Sequence, residues 1–231
     1  MQVGNGWRTD WPPSGAPLDL GCHDLPHLEC GTEWWSFRCR LTTKGGGEHG
    51  IIVMFLRNRI RKVDGTPLSG HTLLWAHGDC GSPSNSGGVW LDRAAHDIQR
   101  LVIADDLIMD RRVRSAFIEA MSDGVPIPPD RLLPGSVQMS AYRLDLEYGD
   151  VARLCKQDDG SYQITLAGEH EQFNLTLTPG KPPIRQTRDG RLGGRLGDDS
   201  DATFSYLLPR SDVRGVVRWN GEAQMVSGTG W

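Results

Sequence analysis

The chain has 231 residues, 29 acidic and 25 basic side chains and a formal net charge of −4, enough length for one large or two small domains. That near-neutral balance excludes the electrostatic footprint of a nucleic-acid or anionic-membrane binder, since Arg111, Arg112 and Arg114 form only a small local cluster. A hydrophobic fraction of 38% together with 29 glycines excludes a disordered chain.

The longest apolar run, around Ile51 to Leu56, is far shorter than the roughly 20 residues of a membrane helix. The N-terminus lacks a basic start followed by an apolar core, so a soluble chain without an export signal is expected. Five cysteines cannot all pair and do not make the dense framework of a small secreted scaffold, so reduced thiols in a cytoplasmic setting are expected. Tryptophan is over-used, with eight residues against four tyrosines and five phenylalanines. It serves ligand clefts and interfaces, and equally fills β-barrel cores.

Residues 1–32, rich in proline and glycine without periodicity, read as an irregular arm, and residues 33–231 as one β-domain. Strands are expected at Glu33–Thr42, His49–Ile60, His71–Asp79, Gly88–Asp92, Ile98–Ile103 and Val137–Tyr148. Further strands are expected at Val151–Lys156, Tyr162–Ala167, Gln172–Thr178, Thr203–Leu208, Val213–Trp219 and Ala223–Val226. Turn pairs such as Asp64-Gly65, Asp159-Gly160, Asp189-Gly190 and Asn220-Gly221 punctuate them. That cadence predicts an all-β antiparallel barrel or sandwich. One inserted helix is expected near residues 106–121, where Leu107, Val113, Phe117, Ile118 and Met121 fall near helical spacing. Val125-Pro126-Ile127-Pro128-Pro129 then cannot be regular structure, and Arg185–Asp201 reads as a mobile surface loop.

On the first strand the pleat sets Glu33, Trp35, Phe37, Cys39 and Leu41 on one face and Trp34, Ser36, Arg38 and Arg40 on the other. Glu33 shares a face with apolar neighbours, so it is either a buried glutamate tied to donors or a carboxyl raised into the range of a general acid. His71, Leu73, Trp75, His77 and Asp79 point one way on the third strand, and His77 with Asp79 reads as a proton-transfer pair or a polar network. The second strand, Ile51 to Leu56, is apolar on both faces and reads as a central strand covered on each side. Cys22, His23, His27 and Cys30 cluster, and Cys80 follows His77 and Asp79, but the adjacency of Cys22 and His23 and the presence of Pro26 argue against a tetrahedral zinc site. No metal is expected. Neither a dinucleotide fingerprint nor a phosphate loop nor a Gly-x-Ser-x-Gly elbow is present in the sequence.

Asp24-Leu25-Pro26-His27, then Glu33-Trp34-Trp35, then Gly50-Ile51-Ile52-Val53-Met54-Phe55 resemble the opening of the AttH/carotenoid hydratase family, which carries a histidine-containing segment and a Glu-Trp-Trp-Tyr motif. Lys181-Pro182-Pro183, Tyr206-Leu207-Leu208-Pro209, Val213-Arg214-Gly215, Asn220-Gly221 and Val226-Ser227-Gly228-Thr229-Gly230-Trp231 resemble that family's later landmarks. The motif tyrosine is Ser36 here. Family members continue into a second lipocalin-like β-domain beyond the position of Trp231, so the resemblance implies an N-terminal domain with a second β-domain or subunit as partner. It further implies a cofactor-independent hydratase, or a Diels-Alderase-type cyclase, acting on a large apolar polyketide, terpenoid or carotenoid in a hydrophobic pocket. The rival expectation is a non-catalytic carrier of apolar ligands. Glu33, His27, Trp34 and Trp35 sit on the family's motif. Glu33 is then the candidate acid, His27 and the His77/Asp79 pair the candidate relay, and Trp34, Trp35, Phe37 and Trp75 the candidate substrate wall.

Overall fold

The computed structural model describes residues 12, 15–28, 30–79, 85–106, 109–186, 191–192, 203–219 and 221–231. The elements run β1 (Thr32–Thr43), β2 (Glu48–Arg61), β3 (Pro67–Asp79), β4 (Asn85–Leu91), α1 (Arg93–Asp105), α2 (Arg111–Ala120), β5 (Arg131–Leu132), β6 (Val137–Met139), β7 (Asp145–Tyr148) and β8 (Ala152–Lys156). They continue through β9 (Tyr162–Ala167), β10 (Glu171–Pro179), β11 (Ile184–Arg185), β12 (Arg191–Leu192), β13 (Thr203–Phe204), β14 (Tyr206–Leu207), β15 (Ser211–Trp219) and β16 (Glu222–Gly230). Twelve strands form one sheet in the order β5-β4-β3-β2-β1-β16-β15-β10-β9-β8-β7-β6. Every neighbouring pair for which a register is given is antiparallel except β4 with β5.

The sheet curls on itself like an open barrel. Phe55 of β2 meets Tyr148 of β7 edge-on at 5.2 Å, and Phe37 of β1 meets Tyr162 of β9 at 6.0 Å, although several strands separate each pair in the sheet order. The alternation read from β1 is realised: Glu33, Trp35, Phe37, Cys39 and Leu41 are buried while Trp34, Arg38 and Arg40 are exposed. One continuous core fills the curl, drawn from the inward faces of β1–β3, β7–β10 and β15, where period-two burial removes apolar area from water at about 25 cal/mol per Å². The Tyr148 hydroxyl, buried in that core, donates to the Leu56 carbonyl at 3.1 Å.

Several expectations change: Val137–Tyr148 divides into β6 and β7, and Thr203–Leu208 into β13 and β14. Ile98–Ile103 is part of helix α1 and not a strand: Asp92 caps that helix by accepting from the Ala95 amide at 2.7 Å, and Ala95, His96 and Ile98 face inward at helical spacing. Helices are therefore two, with α2 starting at an Asp110 cap. Neither is β2 covered on both faces. α1 lies against the outer face only near Gly70, where an added Cβ would sit 2.3 Å from the Ala95 nitrogen, and Ile52, Leu74 and Trp34 stay 37–40% exposed farther along. The proline-rich segment after α2 is irregular as read. Leu107, the Asp189-Gly190 pair, Asn220, Trp7, Trp11, Cys80 and most of the Arg185–Asp201 loop lie outside the described residues. No helix among the described residues is long and apolar enough to cross a membrane.

Candidate active site

β16 pairs with β1 only over Cys39–Thr43, and the edge contact ends where Arg38 and Trp231 exchange backbone hydrogen bonds. Beyond it the arm packs beside the start of β1. The Trp35 indole N–H donates to the Asp24 carbonyl at 3.3 Å, which ties arm to strand.

Glu33 begins the inward row of β1, and strand pairing sets Arg57 of β2 opposite it. Arg57 is 2% exposed, with Nη2 3.1 Å from Glu33 Oε2. The His27 amide donates to both Glu33 oxygens at 2.9 and 3.1 Å, and His27 Nδ1 lies 2.6 Å from Oε1. Arg57 also donates to the His27 carbonyl. Four donor contacts thus converge on one carboxylate, which holds both the arm and the His27 ring.

Beside this pair lies a network that the sequence reading did not pick out. Asp24, 4% exposed, accepts from the hydroxyls of Tyr162 and Tyr206 and from Lys156 Nζ at 2.9 Å. Burial first, then the Asp24 charge, pushes both phenols above their ordinary range, so both hydroxyls keep their protons. Asp24 and Tyr206 stand in the two family-like segments at opposite ends of the sequence. Their presence in those segments was the available signal; their meeting was not legible locally.

His77 and Asp79 lie elsewhere. On β2, His49 stands eight residues before Arg57, about 26 Å along an extended strand, and His49 is the residue paired with Asp79. The polar residues proposed as one relay therefore form two groups at opposite ends of the curl. His49 Nδ1 is 2.6 Å from Asp79 Oδ1, and His77 Nε2 is 3.3 Å from His49 Nδ1. His77 stacks on Trp219 at 3.8 Å with a 14° interplanar angle. Burial lowers the His77 imidazole below its usual range against the opposing pull of Asp79.

Of the aromatic candidates, Trp35, Phe37 and Trp75 belong to the core. Trp34 is 40% exposed on the opposite face of β1, because the pleat that turns Trp35 inward turns its neighbour outward. An open depression of about 240 Å³ over Glu147, Gly149–Arg153, Thr165 and Ala167 contains none of the candidate residues.

No family model and no curated protein matches the chain. Among solved structures it is similar to a Nitrosomonas europaea protein provisionally named AttH, with a TM-score of 0.63 at 18% identity over 96% of this chain and 56% of that one. It is also similar to kievitone hydratase from Nectria haematococca, with a TM-score of 0.57 at 11% identity over 96% of this chain and 54% of that one. The chain has an AttH-type, lipocalin-like fold. It spans little more than half the length of either structure.

Proposed function

We propose that this domain adds water across an alkene of a large apolar substrate of the polyketide, terpenoid or carotenoid type, at the seam between the arm and β1. The carrying observation is the 2.6 Å contact between His27 Nδ1 and Glu33 Oε1. A carboxylate that fixes one imidazole nitrogen sets the ring's tautomer and orientation and stabilises the imidazolium, leaving proton exchange with substrate to Nε2. Glu33, with its oxygens accepting from Arg57 and His27, serves as the residue that holds the base and not as the acid itself. The His27 imidazolium gives its Nε2 proton to one alkene carbon and becomes neutral imidazole, and the resulting cation is stabilised by a neighbouring aromatic face. Water then adds to the cation and gives up a proton to the same imidazole, closing the balance at alkene plus water to alcohol. In this reading Trp35, two residues along β1 from Glu33 and tied to the arm through Asp24, supplies that face from the edge of the core.

Hydration is preferred to pericyclic closure because a cyclase works mainly through a shaped apolar cavity. The inward faces of the described strands form one continuous apolar core, and proton-handling groups gather at the seam. The likeness in fold to a hydratase supports the same choice. The remaining wall of the substrate site belongs in this reading to a second β-domain or subunit. Incubation of the chain together with that second domain or subunit, with a panel of apolar alkenes in heavy-oxygen water, tests the proposal. A product heavier by one labelled water supports it, and unchanged alkene, or a product isomeric with the substrate, overturns it.

A further inference from the structure

The end of β2 and β3 remote from their connecting turn carries an arrangement that the hydration reading does not use. Arg61 pairs with Pro67 at the β2–β3 turn, and counting back along both strands brings His49 opposite Asp79, with Ile51 opposite His77. Residues opposed across an antiparallel pair, and the next residue on the same face, are the nearest side-chain neighbours a sheet provides. Two strands alone therefore gather His49, His77 and Asp79 on one inward face. Among the described residues this is the only group of three potential metal-ligating side chains whose donor atoms lie within 4.8 Å of one another.

We infer that His49 Nδ1, His77 Nε2 and Asp79 Oδ1 form a binding site for a divalent transition-metal ion, zinc being the best match. Zinc bonds of about 2.0–2.1 Å in tetrahedral geometry place ligand atoms about 3.3 Å apart. The separation from His77 Nε2 to His49 Nδ1 is 3.3 Å, and from His77 Nε2 to Asp79 Oδ1 it is 3.4 Å. The third edge, from His49 Nδ1 to Asp79 Oδ1, is 2.6 Å and spanned by a hydrogen bond. Metal entry opens that edge and requires the His49 ring to carry its proton on Nε2, so that the Nδ1 lone pair faces the ion.

Two imidazoles and one carboxylate select zinc and its neighbours over magnesium and calcium, which require mostly oxygen ligands. The ligands stand on regular strands, and Trp219 stacked on His77 restrains one ring, so the site is held before the ion arrives. Asp79, with its side chain 47% exposed, gives the ion access to solvent. Three protein ligands leave the fourth position to water, the pattern of an open rather than a closed structural site. Glu171, paired with Trp219 across β10 and β15, adds a negative charge that acts on His77 and favours a cation.

This site lies at the far end of β2 from His27 and Glu33, so its fate is separate from that of the hydration reading. The test is titration of metal-free full chain with zinc against a chromophoric chelator, repeated with cobalt(II) to read coordination from the visible spectrum. The expected result is one equivalent of zinc and intense four-coordinate cobalt bands. His49→Gln and Asp79→Asn should each weaken binding roughly 100-fold and remove the bands. Asp79→Asn at a half-exposed position preserves side-chain shape, and circular dichroism checks that both variants are folded. Zinc binding equal in the wild type and both variants would place the ion elsewhere and overturn the assignment, as would no binding at micromolar zinc.

Discussion

Asp24 and Tyr206 stand 182 positions apart in the chain, and the Tyr206 hydroxyl donates to the buried Asp24 carboxylate. The contact fastens the arm to the short strand β14, while Lys156 and Tyr162 fasten the same carboxylate to β8 and β9. Asp24→Ala removes the shared acceptor of two phenols and an ammonium group, leaving Lys156 only the Leu20 carbonyl and Tyr206 only the His23 carbonyl, and should cost about 3 kcal/mol in a denaturant titration. Tyr206→Phe leaves Lys156 and Tyr162 in place and should cost about 1 kcal/mol. Amide exchange at residues 19–28 should rise in both variants before the rest of the domain responds.

The sequence reading reached the faces of β1 because a period of two needs only local information. It misread Ile98–Ile103, where β-branched residues in a short apolar run imitate a strand, and the deciding signal is the Asp92 cap six residues upstream. His49 was passed over as part of an apolar strand. Its partner was accessible by counting outward from the Asp64-Gly65 turn, since a hairpin fixes register along its whole length. The Asp24 network was beyond such counting, because its members meet only when the curl closes.

Close backbone approach at the β1–β16 seam makes Gly228 irreplaceable. A Cβ there would lie 1.9 Å from the Arg40 carbonyl oxygen and 2.9 Å from the Leu41 Cα, atoms that belong to the sheet backbone and have nowhere to retreat. Gly228→Ala should therefore destabilise the domain by about 3 kcal/mol, measured as a lower chemical-denaturation midpoint.

Thiol reactivity should divide by position. Cys22 is exposed, whereas Cys39 is buried, and burial pushes its thiol up to about 12. Alkylation of the folded protein near about pH 8 should mark Cys22 and leave Cys39 unmodified until denaturant is added. Peptide mass spectrometry reads both sites; rapid native labelling at Cys39 would contradict the burial.

Acid stability carries a signature of Asp145. A hydrogen bond from Arg153, reinforced by that charge and by Arg143, holds its carboxyl below the usual range. Between the folded value and the unfolded value of about 3.9, the unfolded chain binds more protons. Stability from this group is thus complete above about pH 4 and is lost as pH falls through the folded value. Asp145→Asn should flatten that part of the stability-against-pH curve and leave the neutral region with the same slope.

The most direct measurement of the central claim is the hydration rate of the wild-type chain beside His27→Gln and Glu33→Gln, each checked for native circular dichroism and assayed together with the second domain or subunit, on the same panel of apolar alkenes. Removing the imidazole, or the carboxylate that holds it 2.6 Å away, should lower turnover by about 10²-fold or more. Wild-type turnover in either folded variant, or no hydrated product from the wild type, would contradict the account.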